Sequence, residues 1–220
     1  MQRDPVDSFT GLHTVTAHQR ESFFLKLKQI KIPCSWQLSI VIFFAGRVLF
    51  SGWGAIIWLM RLHPLYKWIY YFGIEPVLNG PEGMLLGMWQ RWDSIHYQQI
   101  AMSGYINDAL TAFYPLFPLL GRWVSFLVGK NYLLGLIIVG NAAFLVALWL
   151  LYQITSEEYS PELAGETLLC LVVFPSSFFF YAVYPQSLLL MLILLAFWLA
   201  RRGHWVWAGI AGLAAGLTRS

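Results

Sequence analysis

The residues best equipped for chemistry crowd into one stretch, Met88-Trp89-Gln90-Arg91-Trp92-Asp93-Ser94-Ile95-His96-Tyr97, followed by Gln98, Gln99, Gly104 and Tyr105. If a helix starts at Asp93 and stops before Gly104, His96 and Tyr97 lie three and four residues on and project to the same side as Asp93. A carboxylate, an imidazole and a phenol then share a rim, a set able to take a proton from a hydroxyl. Spacing leaves two readings of Asp93 open: a catalytic base, or an N-cap contributing about 1 kcal/mol. Trp89, Trp92 and Tyr97 fit an aromatic belt at a membrane interface and would serve equally as a sugar-stacking platform. Arg91 and Arg122 match phosphate geometry, and an arginine near hydrocarbon calls for an anionic partner, although each can also snorkel to the headgroups. Asp93 with His96 is only two-thirds of a metal site, so neither a metal nor another cofactor is expected. Ser94, Ser176 and Ser177 lack the Gly-x-Ser-x-Gly setting and partner residues of a serine hydrolase.

The elements that must hold this cluster are apolar. The 220 residues are 58% hydrophobic and 17% aromatic but only 11% charged, where a water-soluble domain spends about a quarter of its residues on charge. The expected fold class is therefore an all-α multi-pass integral membrane protein. A net charge of +3, spread without any run of five like charges, gives no nucleic-acid footprint. Cys34 and Cys170 have neither metal-ligand nor redox spacing and read as packing residues.

Residues 1–35 read as a polar cytoplasmic tail, and spans are expected at about 36–60, 132–153, 167–182, 185–200 and 205–220. The first contains Arg47. Its twelve Leu, Ile, Val and Phe residues favour insertion by about 5 kcal/mol, against roughly 3 for one central arginine, so the span survives its charge. Residues 61–130, broken by Pro64, Pro76 and Pro81, read as a long extracytoplasmic loop. Within that loop, 113–129 is expected to be re-entrant or interfacial because it holds Pro115, Pro118 and Arg122. The long apolar run from Thr167 to Ala200 is interrupted at Pro175, at Pro185 and by the polar patch Tyr184 to Ser187, which suits two shorter helices. Placing Arg201, Arg202 and the N-terminal basic cluster in the cytoplasm puts residues 61–130 and the turn near Tyr184 together on the opposite face. The loop expected at 155–166, with four glutamates and no Lys or Arg, dissents weakly, because acidic residues contribute little to this rule. Gly209, Gly212 and Gly216 have the spacing of close helix packing rather than of a phosphate loop. The last apolar segment stops at Ser220 without a closing anchor and reads as part of a longer chain.

Four short motifs occur in order: Trp92-Asp93-Ser94-Ile95-His96-Tyr97 with Ile100-Ala101 and Gly104-Tyr105; Ala112-Phe113-Tyr114-Pro115-Leu116-Phe117-Pro118; Phe174-Pro175-Ser176-Ser177-Phe178-Phe179 with Tyr184; and Leu217-Thr218-Arg219-Ser220. Together they make residues 88–220 resemble the glycosylphosphatidylinositol mannosyltransferase II family and its bacterial homologues, which are similar to the wider glycosyltransferase C superfamily. The resemblance implies a glycosyltransferase C-like helical bundle that moves a sugar, mannose in the family, from a polyprenyl-phosphate donor to a lipid or glycan acceptor. Transfer would occur on the extracytoplasmic side, in the plasma membrane of a bacterium or the endoplasmic reticulum of a eukaryote, with or without a partner subunit. It also implies a general base at Asp93. Arg91, Trp92, His96, Tyr97, Arg122, Tyr184 and Gln186 are the candidate substrate-binding residues, Gln186 standing where the family often has an acidic residue. The other reading is a non-catalytic paralogue that binds a lipid-linked sugar or scaffolds a partner; a transporter is weaker, because Arg47 has no acidic partner within a span.

Overall fold

The computed structural model describes residues 35–60, 74 and 80–219, all within the second of two units into which the chain divides, Ser35–Ser220; the tail at 1–34 and most of 61–79 lie outside the described residues. The helices are α1 (Ser35–Leu59), α2 (Gly80–Leu85), α3 (Ser94–Ser103), α4 (Leu116–Leu127), α5 (Tyr132–Glu158), α6 (Pro161–Val173), α7 (Phe178–Tyr181), α8 (Gln186–Arg201) and α9 (Trp205–Gly216). Single 3-10 turns occur at Gly87–Trp89, Asp108–Ala112 and Pro175–Ser177, and there is no strand among the described residues.

Helix α5 is the axis of the bundle, packing against α1, α4, α6 and α8, while α9 packs on α8 and α3 on α4. Its side chains Leu136, Phe144, Ala147 and Leu148 are fully buried. Close approach along it depends on missing side chains: a Cβ at Gly121 of α4 would meet the Leu136 side chain, and one at Gly135 would meet the α4 backbone. Helices α1 and α5 are long and apolar enough to cross a membrane, and the bent pair α6–α7 makes a third candidate. With the apolar surface these helices present, the chain fits a membrane protein. Helix α4 has 12 residues, α8 has 16 and α9 has 12, or about 18, 24 and 18 Å at 1.5 Å per residue.

Several expected boundaries move. The segment 155–166, expected as a loop, is helical except near Tyr159 and Ser160, because α5 runs on to Glu158 and α6 begins at Pro161. The start is encoded locally: Ser160 accepts a hydrogen bond from the Leu163 amide at 3.2 Å, and Pro161 occupies the first helical position, where its missing N–H is no loss. Two of the four glutamates that dissented from the charge rule are paired: Glu157 with Arg202 at 2.7 Å and Glu158 with Arg201. The helix expected over 167–182 ends at Val173. Phe174 precedes a proline and is extended, and α6 and α7 meet at a bend of 78°.

That bend leaves backbone groups without helical partners, and in an apolar setting each must find another. Side chains supply them. Ser177 Oγ donates to the Leu171 carbonyl and Ser187 Oγ to the Phe180 carbonyl at 2.6 Å. The Tyr181 carbonyl, whose partner in a continued helix would be residue 185, faces a proline with no N–H. It accepts instead from Arg47 Nη1 at 3.1 Å and from Asn141 Nδ2 at 3.3 Å.

Candidate active site

Helix α3 has the limits that Asp93 and Gly104 foretell: Asp93 precedes its first turn, and Gly104 closes it with φ of +75°, a backbone conformation that suits glycine. The Asp93 carboxylate makes no cap hydrogen bond. The residue is exposed, so the capping role left open by spacing is not the one its side chain plays.

What holds Asp93 is a turn clamped from a distant part of the chain. Trp92 has φ of +45°, a left-handed conformation that costs a non-glycine residue roughly 1–2 kcal/mol and persists only where its surroundings enforce it. The enforcing group is the Tyr184 hydroxyl, which accepts from the Asp93 amide at 3.2 Å and donates to the Arg91 carbonyl at 3.1 Å, so that one oxygen bridges both sides of Trp92. Alongside, the Val183 amide donates to the Trp89 carbonyl at 3.3 Å. The strained turn presents Trp92 outward, 56% exposed, with its indole 6.0 Å from the Phe179 ring. Phe179 in turn meets Tyr184 edge-on at 5.2 Å.

On the other side, Phe113 seats the rim of α3. Its ring stacks on His96 at 4.7 Å and meets Tyr97 edge-on at 5.1 Å, and the Tyr105 hydroxyl donates to its carbonyl at 2.7 Å. The last motif arrives by a backbone link: the Leu116 amide donates to the Leu217 carbonyl at 3.1 Å, which brings the α9 terminus to the start of α4. Arg219 thereby acts electrostatically on Tyr97. All four motifs, scattered from residue 92 to 219, thus meet around α3.

The electrostatics separate the roles. Burial pushes the Tyr97 phenol up to about 12; Arg219 opposes this, while Asp93 and Tyr105 add to it. Burial and then the Asp93 charge push the Tyr184 phenol well above its ordinary range. Both therefore stay protonated donors at neutral pH. Burial holds His96 below the usual imidazole value against the pull of Asp93, so it is a neutral imidazole at pH 7. Two groups on this rim have lone pairs able to accept a proton, the exposed side chain of Asp93 and the neutral imidazole of His96.

Of the residues expected at the site, Asp93, Trp92, His96, Tyr97 and Tyr184 come together. Arg91 joins through its carbonyl, with its side chain in no ion pair among the described residues. Gln186, at the start of α8, keeps a buried Oε1 without a protein partner among the described residues, as do Ser94 Oγ and Gln99 Oε1 of α3. Arg122 is not brought in: it lies on an exposed face of α4 with Leu119, Trp123 and Phe126, away from buried Phe117 and Gly121. Arg219 was missed as a site residue, although it stands within a motif already singled out. Phe113 and Phe179 were likewise visible only as motif members. No group of three or more His, Cys, Asp or Glu able to hold a metal occurs among the described residues.

No protein-family model matches the chain, and no solved structure matches it. Two relatives from strains of Cryptococcus neoformans var. neoformans serotype D are each 31% identical over 134 residues, 56% of this chain. The chain covers 30% of the length of those relatives. Both are named GPI mannosyltransferase 2, so the resemblance carried by the four motifs is matched, over part of the chain, by similarity to that protein.

Proposed function

We propose that this chain carries the base and part of the donor site of a membrane glycosyltransferase, a mannosyltransferase that takes its sugar from a polyprenyl-phosphate donor. The observation that carries this reading is the exposed, uncapped Asp93 carboxylate on a turn held in a strained conformation by Tyr184. The Asp93 carboxylate accepts the proton of the acceptor hydroxyl as that oxygen attacks the anomeric carbon. The bond from that carbon to the phosphate oxygen breaks, and the polyprenyl phosphate leaves with the electron pair. Direct displacement of this kind inverts the anomeric centre. Arg91 and Arg219 are the cations placed to neutralise the departing phosphate. Tyr97, held as a phenol, and His96, held neutral, orient the acceptor, and Trp92 offers its exposed face to the sugar ring. Gln186 adds a polar contact to the donor.

The charge rule supports an extracytoplasmic site. Tyr184 precedes the first residue of α8 and the Arg201–Glu158 and Arg202–Glu157 pairs close its other end, so the rim and the basic end are separated by the length of α8. The acceptor is a lipid or glycan, and a partner subunit can complete the assembly.

The test is transfer from radiolabelled polyprenyl-phosphate mannose in membranes containing the full-length protein or its Asp93→Asn variant. A positioned base is typically worth about 10² to 10⁴ in rate, so Asp93→Asn, inserted at native levels, loses transfer by that factor. Full activity in Asp93→Asn removes the mechanism.

A further inference from the structure

Arg47 is the one titratable group on α1 among the described residues, near the middle of a helix long enough to cross a membrane, and the reaction above makes no use of it. An ionisable residue at such a place is expensive and marks function unless it is paired. Its surroundings are neutral. One guanidinium nitrogen donates to Asn141 Oδ1 on α5 and to the Tyr181 carbonyl, both at 3.1 Å, and the guanidinium lies over the Trp89 ring at 3.9 Å from its centroid. No carboxylate pairs with it among the described residues.

Those partners lead to the site. Trp89 is 1% exposed and ends the 3-10 turn that leads into Arg91-Trp92-Asp93. Tyr181 ends α7 and begins the extended stretch that delivers Val183 to the Trp89 carbonyl and the Tyr184 hydroxyl to the strained turn. The two segments whose pairing sets Asp93 are therefore both gripped by one cation. Tyr181 returns the contact to α1, its hydroxyl donating to the Phe43 carbonyl at 3.1 Å. The carbonyl that Arg47 takes is the one Pro185 cannot serve.

We propose that Arg47 is a positioning residue that fixes the geometry of the Asp93 turn from inside the bundle, by holding Trp89 through its ring and the Tyr181–Tyr184 segment through its carbonyl. Arginine suits the task where lysine does not, since a planar guanidinium stacks on an indole and donates in fixed directions at once. The activity part of this inference rests on the proposed glycosyl transfer; the geometric part does not.

The experiment uses the full-length protein in membranes with Cys34 and Cys170 replaced by serine. Ser94→Cys places a thiol beside Asp93 at a position with 0% exposure. With Arg47 present this thiol is protected from a soluble maleimide. In the Arg47→Lys background, which keeps the charge, the turn opens and labelling quickens at least about tenfold. Transfer by Arg47→Lys falls about 10²-fold in kcat, as expected for misplacing a catalytic group, with donor KM little changed. Adding Arg47→Lys to Asp93→Asn lowers residual transfer less than about twofold, because the turn no longer carries a base. Unchanged protection of Ser94→Cys, or a fully additive double variant, overturns the proposal. If native protein transfers no sugar, the proposed function fails while labelling still decides the role of Arg47. Should Arg47→Lys not accumulate, Trp89→Phe, which keeps a ring but weakens the cation contact, is read by the same two measurements.

Discussion

Tyr184 shows how much a single hydroxyl can organise. It is 5% exposed, yet its oxygen serves two backbone groups on either side of a residue held at a positive φ. Tyr184→Phe keeps the ring contact with Phe179 but leaves the Asp93 amide and the Arg91 carbonyl without this partner, a loss of about 1–3 kcal/mol. Much of that falls on the local turn rather than on the bundle. Tyr184→Phe is expected to insert and melt close to the native protein while transfer drops at least about tenfold, measured in the membrane assay used for Asp93→Asn. The position of this tyrosine was legible in the sequence beside Pro185 and Gln186. Its partners, nearly a hundred residues earlier, were not, because a side-chain hydrogen bond across that distance leaves no periodic trace.

At the level of helices, the bundle depends on close approach at small residues and on polar side chains that take up the backbone groups a bend releases. A Cβ at Gly46 of α1 would run into the Tyr181 hydroxyl and Val172, whereas one at Gly52, further along the same helix, meets nothing within 4 Å. Gly46→Ala is therefore expected to destabilise by about 1–3 kcal/mol through overpacking. Gly52→Ala is expected to be neutral or stabilising, since alanine is the better helix former by roughly 1 kcal/mol. Thermal midpoints of the two variants in one detergent compare them directly. Gly104 closes α3 where the sequence foretold it, whereas two equally local signals went unread: Asn131, which caps α5 through the Leu134 amide at 2.9 Å, and Ser160-Pro161 at the start of α6. The break between α6 and α7 was harder, because Pro175 and Pro185 both stand in one apolar run. Only the packing of Trp89 against Phe178, at 5.5 Å, and the satisfied carbonyls show that Pro175 makes the bend.

For the molecule as a whole, charge is sorted along the bundle. The basic end carries Arg201 and Arg202 paired with Glu158 and Glu157, and the other end of α8 carries the Asp93 rim. In the proposed arrangement these ends face opposite sides of a membrane. Single thiols test it, again in a chain without Cys34 and Cys170. Ile106→Cys, 60% exposed just beyond α3, should react with an impermeant maleimide from the extracytoplasmic side of sealed vesicles. His204→Cys, just past Arg202, should react only after permeabilisation. Reaction of both from the same side would refute the sidedness of the proposed site.

By itself the sequence determined an all-helical apolar class, the existence of the longer helices, the limits of α3 and the grouping of Asp93, His96 and Tyr97 along it. Each of these is written locally, in hydropathy, in helical spacing, in capping residues and prolines. It also carried the family resemblance, since short motifs survive as residue types in order. Only the tertiary structure showed that the Asp93 side chain makes no cap hydrogen bond, that Arg219 acts on Tyr97, and what holds Trp92 in a conformation that its own backbone resists. It alone gave Arg47 its partners, pairing a charge with a carbonyl 134 residues away that a proline had orphaned. Such pairings follow from where helices cross and what each bend leaves unsatisfied, and neither quantity exists before the chain is packed.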